Sequence, residues 1–287
     1  MNIFLLYKNS TYAGYFLSDP KRLARLEGLL KSEQIDRFRH THSNHFTSLG
    51  LVEAALRKRK LKFTKTCRGS SSLDYRRFDL VITVGGDGTF LEAARHAREE
   101  IVWGINSDPL WSVGRFCSGN PDNFEAILQK ILAGKAKVTA FNRLSLSFSD
   151  GHHSMNVLND ILVCHQNPAA MSRYYLSLGR VREEQRSSGV WIATAAGSSG
   201  GIRSAGGRLL PQESRKFLYK PRELYLGRHM RYNLQGDVLK PSQKITMTSL
   251  MREGVVFVDG SHVCLPFSFG AEITVRQSPG RLKVVVA

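Results

Sequence analysis

The stretch from Phe78 to Glu100 constrains this chain more than any other. A strand-type run, Phe78-Asp79-Leu80-Val81-Ile82-Thr83-Val84, ends in Gly85-Gly86-Asp87-Gly88-Thr89. Phe90, Leu91, Ala93, Ala94 and Ala97 then recur at helical spacing. Strand, glycine turn and helix in direct succession are the building unit of an open parallel α/β sheet. Glycines at 85, 86 and 88 are expected to take positive φ and to let a ligand approach without Cβ contact. The N–H groups of such a turn, at the mouth of a helix, suit phosphate oxygens. Asp87 is the odd member, because a pure phosphate cradle avoids negative charge. It fits a site that needs a proton acceptor or a metal-associated carboxylate beside the phosphates, which points to phosphoryl transfer.

The surrounding pattern extends this unit into a domain. Residues 1–7 read as a buried first strand, and residues 9–18 as a polar and aromatic loop. Asp19 and Pro20 form an N-cap and N1 pair opening a helix to about Leu30, with Leu23, Leu26, Leu29 and Leu30 on its apolar face. His40, His42 and His45 lie in a segment, 32–46, that reads as an exposed loop rather than a metal site, because no Cys, Asp or Glu falls within the cluster. A helix at 47–59, a strand at 61–66 and a serine-rich turn, Gly69-Ser70-Ser71-Ser72, lead into the strand at 78–84. Ile101-Val102-Trp103-Gly104-Ile105 is a further strand ending in Asn106-Ser107-Asp108-Pro109, and a helix from Pro121 to Leu132 is capped by Asn120 and closed by Gly134. Residues 1–135 therefore read as an α/β nucleotide-binding domain with a parallel sheet.

Near residue 136 the pattern changes to short strands, at 136–141, 143–149, 154–164, 173–180, 189–194, 245–249, 254–259 and 272–275, with a helix possible at 198–205. Residues 136–270 read as a β-rich, sandwich-like domain, and the site is expected in the cleft between the two domains.

Lys and Arg number 41 against 24 Asp and Glu, a net charge of +17, which suits an anionic ligand. The cations are spread along the chain apart from Arg57-Lys58-Arg59-Lys60, which reads as a solvated helix end and not as a nucleic-acid surface. Cys67, Cys117, Cys164 and Cys264 form no CxxC pair and suggest reduced thiols in a cytoplasmic protein. No apolar run reaches the ~18 residues of a membrane span, and the N-terminus lacks a signal-peptide pattern.

Further motifs narrow the chemistry. No Gly-Lys-Ser/Thr follows the glycine turn, so it is not a P-loop, and the Gly-x-Gly-x-x-Gly dinucleotide fingerprint is absent. Asn159-Asp160 lies inside the apolar, strand-like run Val157 to Val163, where such residues are costly unless paired. They fit either a buried hydrogen-bonded pair or a nucleoside-binding pair. Ser187-Ser188-Gly189 opens a strand that runs into Thr194-Ala195-Ala196-Gly197-Ser198-Ser199-Gly200-Gly201, where small residues permit close approach of a nucleotide. The last five residues also satisfy Gly-x-Ser-x-Gly of serine hydrolases, but Asp259 and His262, three apart, are poorly placed to act as orienter and base.

Gly-Gly-Asp-Gly-Thr matches the kinase superfamily of NAD kinases, diacylglycerol- and sphingosine-type lipid kinases and 6-phosphofructokinases. Asn106-x-Asp108-Pro109 with Ser112-x-Gly114, then Asn159-Asp160, and Thr194 with Gly197 and Ser198, resemble the NAD kinase family over about residues 78–287, in a form closest to its mitochondrial-type branch. Val258-Asp259-Gly260 is similar to a late family turn between strands. The resemblance implies transfer of the ATP γ-phosphoryl group to the adenosine 2′-hydroxyl of NAD. It implies Asp87 as base, Gly85, Gly86, Gly88 and Thr89 on phosphates, and Asn106, Asn159, Asp160, Ser188, Thr194, Gly197 and Ser198 on the nucleotide or substrate. It also implies Mg²⁺ with the ATP, no protein ligand being assigned to the metal. A homo-oligomer (dimer or tetramer) and a C-terminal strand within 271–287 returning to the first domain follow from the same likeness. Two departures stand out: Ser188 replaces an acid usual in bacterial members, and Gly201 replaces a Tyr. A lipid kinase and a non-catalytic NAD(P)-binding regulator are the competing readings.

Overall fold

The computed structural model describes residues 1–69, 74–151, 153–227 and 231–286. The expected turn at Ser70-Ser71-Ser72 lies outside the described residues, as does the side chain of Leu23. The chain forms two compact units, Met1–Thr139 with Leu282–Ala287, and Ala140–Arg281.

In the first unit β1 (Asn2–Tyr7) is followed by α1 (Pro20–Glu27), α2 (Ser32–Lys58), β2 (Lys62–Cys67), β3 (Leu80–Gly85) and α3 (Asp87–His96). β4 (Ile101–Asn106), β5 (Cys117–Gly119), α4 (Phe124–Leu132) and β6 (Val138–Phe141) complete it, together with the C-terminal strand Leu282–Val285. The sheet order is β2-β1-β3-β4, then the C-terminal strand, then β6. β1 pairs in parallel with both β2 and β3, β3 with β4, and β4 with β5 and the C-terminal strand. Chain order reverses direction at β1, whose neighbours are β2 on one side and β3 on the other. Open α/β sheets bind ligands outside the carboxyl ends of the strands at such a switch point.

The central strands β1, β3 and β4 are buried on both faces. Ile3, Leu5, Ile82 and Val84 share a core with Leu49, Val52 and Leu56 of α2 and with Trp103 and Phe124. Phe4 packs with Tyr75 and Phe78, their ring centroids 4.7 and 5.2 Å away. Asp19 caps α1 by accepting from Arg22 N, as its sequence position suggests.

Several expectations need correction here. Residues 32–46 are not a loop: α2 runs unbroken for 27 residues. Ile35, His45, Leu49, Val52 and Leu56 keep helical spacing and are all buried, so histidine occupies a place in the buried stripe. Residues 13–17 within the expected loop form one wide helical turn, with Phe16 buried. α4 begins at Phe124, because the Asn120 side chain instead accepts from Asp122 N and Asn123 N in a local turn.

The second unit is a sandwich of two six-stranded sheets. Its strands are β7 (Leu144–Phe148), β8 (Ser154–Val157), β9 (Asp160–His165), β10 (Ser172–Leu178), β11 (Val181–Ser187) and β12 (Val190–Ala193). After the short helix α5 (Gly201–Ser204) come β13 (Phe217–Pro221), β14 (Asp237–Leu239), β15 (Lys244–Ser249), β16 (Gly254–Val258), β17 (Val263–Pro266) and β18 (Glu272–Gln277). One sheet is ordered β11-β10-β15-β18-β7-β8 and the other β14-β13-β12-β9-β16-β17. Leu146, Leu176, Ile245 and Val275 of the first sheet meet Ile161, Val163, Ile192 and Val256 of the second in one core.

The strand expected at 154–164 is two strands, β8 in one sheet and β9 in the other. The 198–205 helix is a 3₁₀ turn, Ala196–Ser199, followed by the single turn of α5. Residues 271–281 stay in the second unit, because β18 fills the place between β15 and β7 with Ile273 and Val275 in the core. Among the described residues of 271–287, Leu282–Val285 returns to the first sheet.

Candidate functional site

Two polar clusters hold the residues singled out above, one in each unit. In the first, β3 ends at Gly85, Gly86 is the N-cap of α3, and Asp87 is its first residue. The helix thus starts two residues earlier than the apolar spacing suggests, placing the Asp87 carboxylate in the first turn, where a negative charge is favoured. Asp87 Oδ1 accepts from the backbone N–H of Phe116 at 2.8 Å. The Phe116 ring is in turn stacked on Phe90 of α3, centroids 5.4 Å apart. The carboxylate is therefore aimed by Phe116, the residue before β5, whose ring is held by α3. Burial, with Asp87 beside it, pushes the Cys117 thiol up to about 12, so this thiol stays protonated.

The three glycines of the turn are not used for positive φ; none of them has it. They are needed for space. A Cβ on Gly85 would collide with Thr89 Oγ1, one on Gly86 would meet Ser112 Oγ at 2.7 Å, and one on Gly88 would meet the Arg68 guanidinium at 2.8 Å. Thr89 is buried and its hydroxyl has no hydrogen-bond partner. An unmade bond of this kind costs on the order of 1–3 kcal/mol, and a bound oxyanion would satisfy it.

Asn106, at the carboxyl end of β4, is spent on its own turn. Its Nδ2 donates to Ser112 O at 2.8 Å and its Oδ1 accepts from Asp108 N at 3.2 Å, which presses Ser112 onto Gly86. Gly114, at φ +55°, leaves the room that the Asn106 amide fills. Behind this turn His45 is fully buried. Its Nε2 lies 2.8 Å from Lys8 O, so it must donate there, and Nδ1 then accepts from the Ser107 hydroxyl at 2.8 Å. Burial pushes the His45 imidazole down to about 4, keeping it neutral. Asp108 accepts from Asn44 Nδ2 through Oδ1, while its buried Oδ2 has no hydrogen-bond partner.

Sequence reasoning missed two cations in this cluster. Lys8 follows β1, and its side chain runs past Gly85, with Cγ 3.4 Å from where a Cβ would stand. Burial lowers its ammonium pKa, Asp108 offsets part of that, and Arg68 adds to the lowering. Arg68 follows β2 and is held by Glu92 of α3 at 2.8 Å. Their signal was positional: each is the first residue beyond a parallel strand's carboxyl end.

The second cluster surrounds the chain where it leaves β8 for β9. Asn159 is not inside a strand but at this bend, and Asp160 opens β9. Asp259, at φ +51° in the turn between β16 and β17, accepts from Leu158 N and Asn159 N and donates its own N–H to Asp160 O. Asn159 Nδ2 donates to Asp160 Oδ2 at 3.0 Å. Burial, then the nearby Asp259 carboxylate, push Asp160 up to about 7, against a smaller lowering from Asn159.

Thr194 Oγ1 donates to Leu158 O at 2.6 Å and accepts from Gly197 N at 3.0 Å. Ser198 Oγ donates to Ala195 O and accepts from Leu210 N. Gly197 lies so close to Asn159 O that a Cβ would overlap that carbonyl. Ser188 lies in the bend between β11 and β12, half-buried, its N–H donating to Arg222 O. At Gly201 the Trp191 indole takes the space, 2.6 Å from where a Cβ would begin. The Trp191 ring of β12 thus lies against this glycine.

Among the described residues no group of three His, Cys, Asp or Glu side chains could hold a metal ion, and no helix is long and apolar enough to cross a membrane.

Comparison with known proteins gives the family and the fold. The ATP-NAD kinase N-terminal domain matches residues 30–136. A probable NADH kinase of Oryza sativa subsp. japonica is 31% identical over 264 residues, covering 84% of this chain and 81% of that protein. The crystal structure of an NAD kinase from Archaeoglobus fulgidus in complex with ATP has a TM-score of 0.70 at 24% identity, covering 99% of this chain and 93% of that one. Yeast NADH kinase complexed with NADH has a TM-score of 0.69 at 17% identity, covering 100% of this chain and 83% of that one. The two solved structures share the fold.

Proposed function

The chain belongs to the NAD kinase family of phosphotransferases, and from that premise we propose that it transfers the γ-phosphoryl group of ATP to the adenosine 2′-hydroxyl of NAD, giving NADP. The observation that supports this most is the strand–turn–helix at Gly85–Thr89, with an unpartnered buried hydroxyl at Thr89 and a backbone-anchored carboxylate at Asp87. Phosphoryl transfer passes through a loose transition state, so catalysis rests on positioning and charge neutralisation. The first-turn N–H groups of α3 and the Thr89 hydroxyl hold phosphate oxygens, and Lys8 and Arg68 supply positive charge beside them.

Asp87 accepts the proton of the attacking hydroxyl. A carboxylate is a weak base toward an alcohol. The transfer therefore follows formation of the oxygen–phosphorus bond, when the proton becomes acidic, and contributes on the order of 10²–10⁴-fold. Phe116 N–H fixes one carboxylate oxygen so that the other can be oriented. In the second unit, Asn159 and Asp160 bind the adenosine moiety. Thr194, Gly197 and Ser198 hold the bend that presents them, and Ser188 belongs to the substrate end of the same reading.

Mg²⁺ is assigned to the nucleotide, because phosphate and water oxygens suit this cation. When bound with ATP it neutralises charge on the phosphate oxygens. A homo-oligomer belongs to the same reading and is measured by light scattering.

The test is purified protein with Mg²⁺, ATP and NAD, run beside NADH, with the product identified by an enzymatic NADP(H) readout and by phosphorus NMR. A 2′-phosphate on the adenosine ribose is expected. Turnover of lipid extracts in place of either dinucleotide, or tight NADP binding without turnover, would replace this reading.

A further inference from the structure

The first unit contains a cavity of about 380 Å³ to which the chemistry above assigns no role. Its walls come from the chain just after β1 (Ser10, Tyr12), from α2 (Arg37, Phe38, Thr41) and from the turn after β4 (Trp111). We propose that this cavity binds the purine base of the phosphoryl donor, a proposal that rests on the kinase reading and extends it to a base-recognition site.

Position is the first argument. Trp111 is bonded through its N–H to Asp108 O and directly precedes Ser112, whose hydroxyl lies against Gly86. Ser10 follows two residues after Lys8, whose side chain passes Gly85. With consecutive Cα atoms ~3.8 Å apart, both walls start within about 8 Å of residues touching the phosphate turn. A ribosyl triphosphate spans that interval, so phosphates on Gly85–Thr89 put the base of the same molecule within reach of the cavity.

Chemistry is the second. The volume falls in the range of small-molecule pockets. Its walls combine aromatic rings with a guanidinium and hydroxyls, the set that grips a flat, nitrogen-rich heterocycle. Arg37 lies over the Trp111 ring at 4.2 Å, and the Trp111 side chain is about half exposed, 52%. Tyr12 is braced by Phe16 and His42, at 5.3 and 5.4 Å, and Phe16 by Phe38 at 5.5 Å. Ser10 Oγ bonds His42 Nδ1 at 2.6 Å and accepts from Ala13 N, which fixes the turn carrying Tyr12. The ring wall is therefore preformed, while Trp111 keeps a face open to stack on a base. Phosphate-anchored donors without a base would gain nothing from such a wall.

The test uses the full chain. At saturating dinucleotide, KM for ATP and for UTP is measured in the parent, Trp111→Ala, Trp111→Phe and Arg37→Ala. Loss of one stacking partner predicts a rise of about tenfold in the ATP KM for Trp111→Ala. Its kcat and dinucleotide KM should stay within twofold, and its preference for ATP over UTP should shrink. Trp111→Phe should restore most of the preference, and Arg37→Ala should raise the ATP KM severalfold. An unchanged ATP KM with intact base preference overturns the proposal, as does an equal rise in the dinucleotide KM.

Titration of Mg²⁺–ADP by calorimetry separates this proposal from the kinase reading. A Kd raised about tenfold in Trp111→Ala upholds the base site even in a protein that turns over no dinucleotide, and an equal Kd removes it. Thermal melting of each variant checks that the half-exposed position leaves folding intact.

Discussion

The polar cluster at the carboxyl end of the first sheet and the one at the bend between β8 and β9 look alike in sequence but differ in what they leave open. Both bring small residues, hydroxyls and acids together, the first within one glycine turn and the second from several separate turns. In the first, the Thr89 hydroxyl and Asp108 Oδ2 are buried without partners, and Lys8 keeps a cation in a desolvated place. In the second, Thr194 and Ser198 each both donate and accept within the unit, and Asp259 ties down the bend. Unmade bonds are costly in a folded protein and persist where a ligand completes them. The contrast supports the proposed contact of the Thr89 hydroxyl with phosphate oxygens, leaves Asp108 Oδ2 as an acceptor for a donor or cation, and fits a framework role for most of the second cluster around Asn159 and Asp160.

The largest effect expected from this contrast lies at Asp87. Asp87→Asn keeps the Phe116 hydrogen bond, and so the fold, but removes the base. NADP formation should fall by about 10²–10⁴-fold with nucleotide binding retained, as read by steady-state kinetics beside calorimetry. Activity within tenfold of the parent would take Asp87 out of that role.

Glycine substitutions divide the clusters next. Gly197→Ala drives a Cβ into the Asn159 carbonyl, backbone that cannot step aside, and should cost roughly 1–3 kcal/mol in urea unfolding. Gly86→Ala meets only the tip of the Ser112 side chain, which can rotate, so less stability should be lost while the ATP KM rises. Equal losses of stability would erase the distinction.

Opposite pH slopes are a subtler consequence. His45 is held near 4, below its ordinary 6.5, so the unfolded chain takes up its proton first. The first unit's stability is then full above about 6.5 and declines as pH falls toward 4. Asp160 is held near 7, above its ordinary 3.8, so the folded chain keeps the proton longer. The second unit is favoured below about 3.8 and loses that contribution as pH rises through 7. Hydrogen exchange, corrected for intrinsic rates, should show β4 amides gaining protection and β9 amides losing it from pH 4 to 7. Asp160→Asn should flatten the second trend alone.

How far the sequence could be read follows from how local each signal is. The strand–turn–helix at residues 78–100, the change to short strands near 136 and the tight turn at Val258-Asp259-Gly260 all lie within contiguous residues and were legible. The histidines of α2 were not, because His45 satisfies itself on Ser107 and Lys8, far away in sequence. A scan that admitted histidine to the apolar stripe of Ile35, Leu49, Val52 and Leu56 would have extended the helix. Phe116 reaches Asp87 across 29 positions, and no local pattern announces it. The turn glycines were recognised, but the positive φ expected of them is absent, and contacts with Thr89, Ser112 and Arg68 demand them instead. Asn159 was placed within a strand because the run around it is apolar on both sides, which hides a crossing between two buried sheets.

The paired hydroxyls put the central contrast to a single measurement: urea unfolding and ATP KM for Thr89→Val and Thr194→Val. Thr194→Val should lose about 1–3 kcal/mol, because Leu158 O and Gly197 N are left unpaired, with the ATP KM little changed. Thr89→Val removes a hydroxyl with no partner, so stability should hold or rise while the ATP KM climbs at least severalfold. Equal destabilisation by the two substitutions, or an unchanged ATP KM in Thr89→Val, would contradict the account.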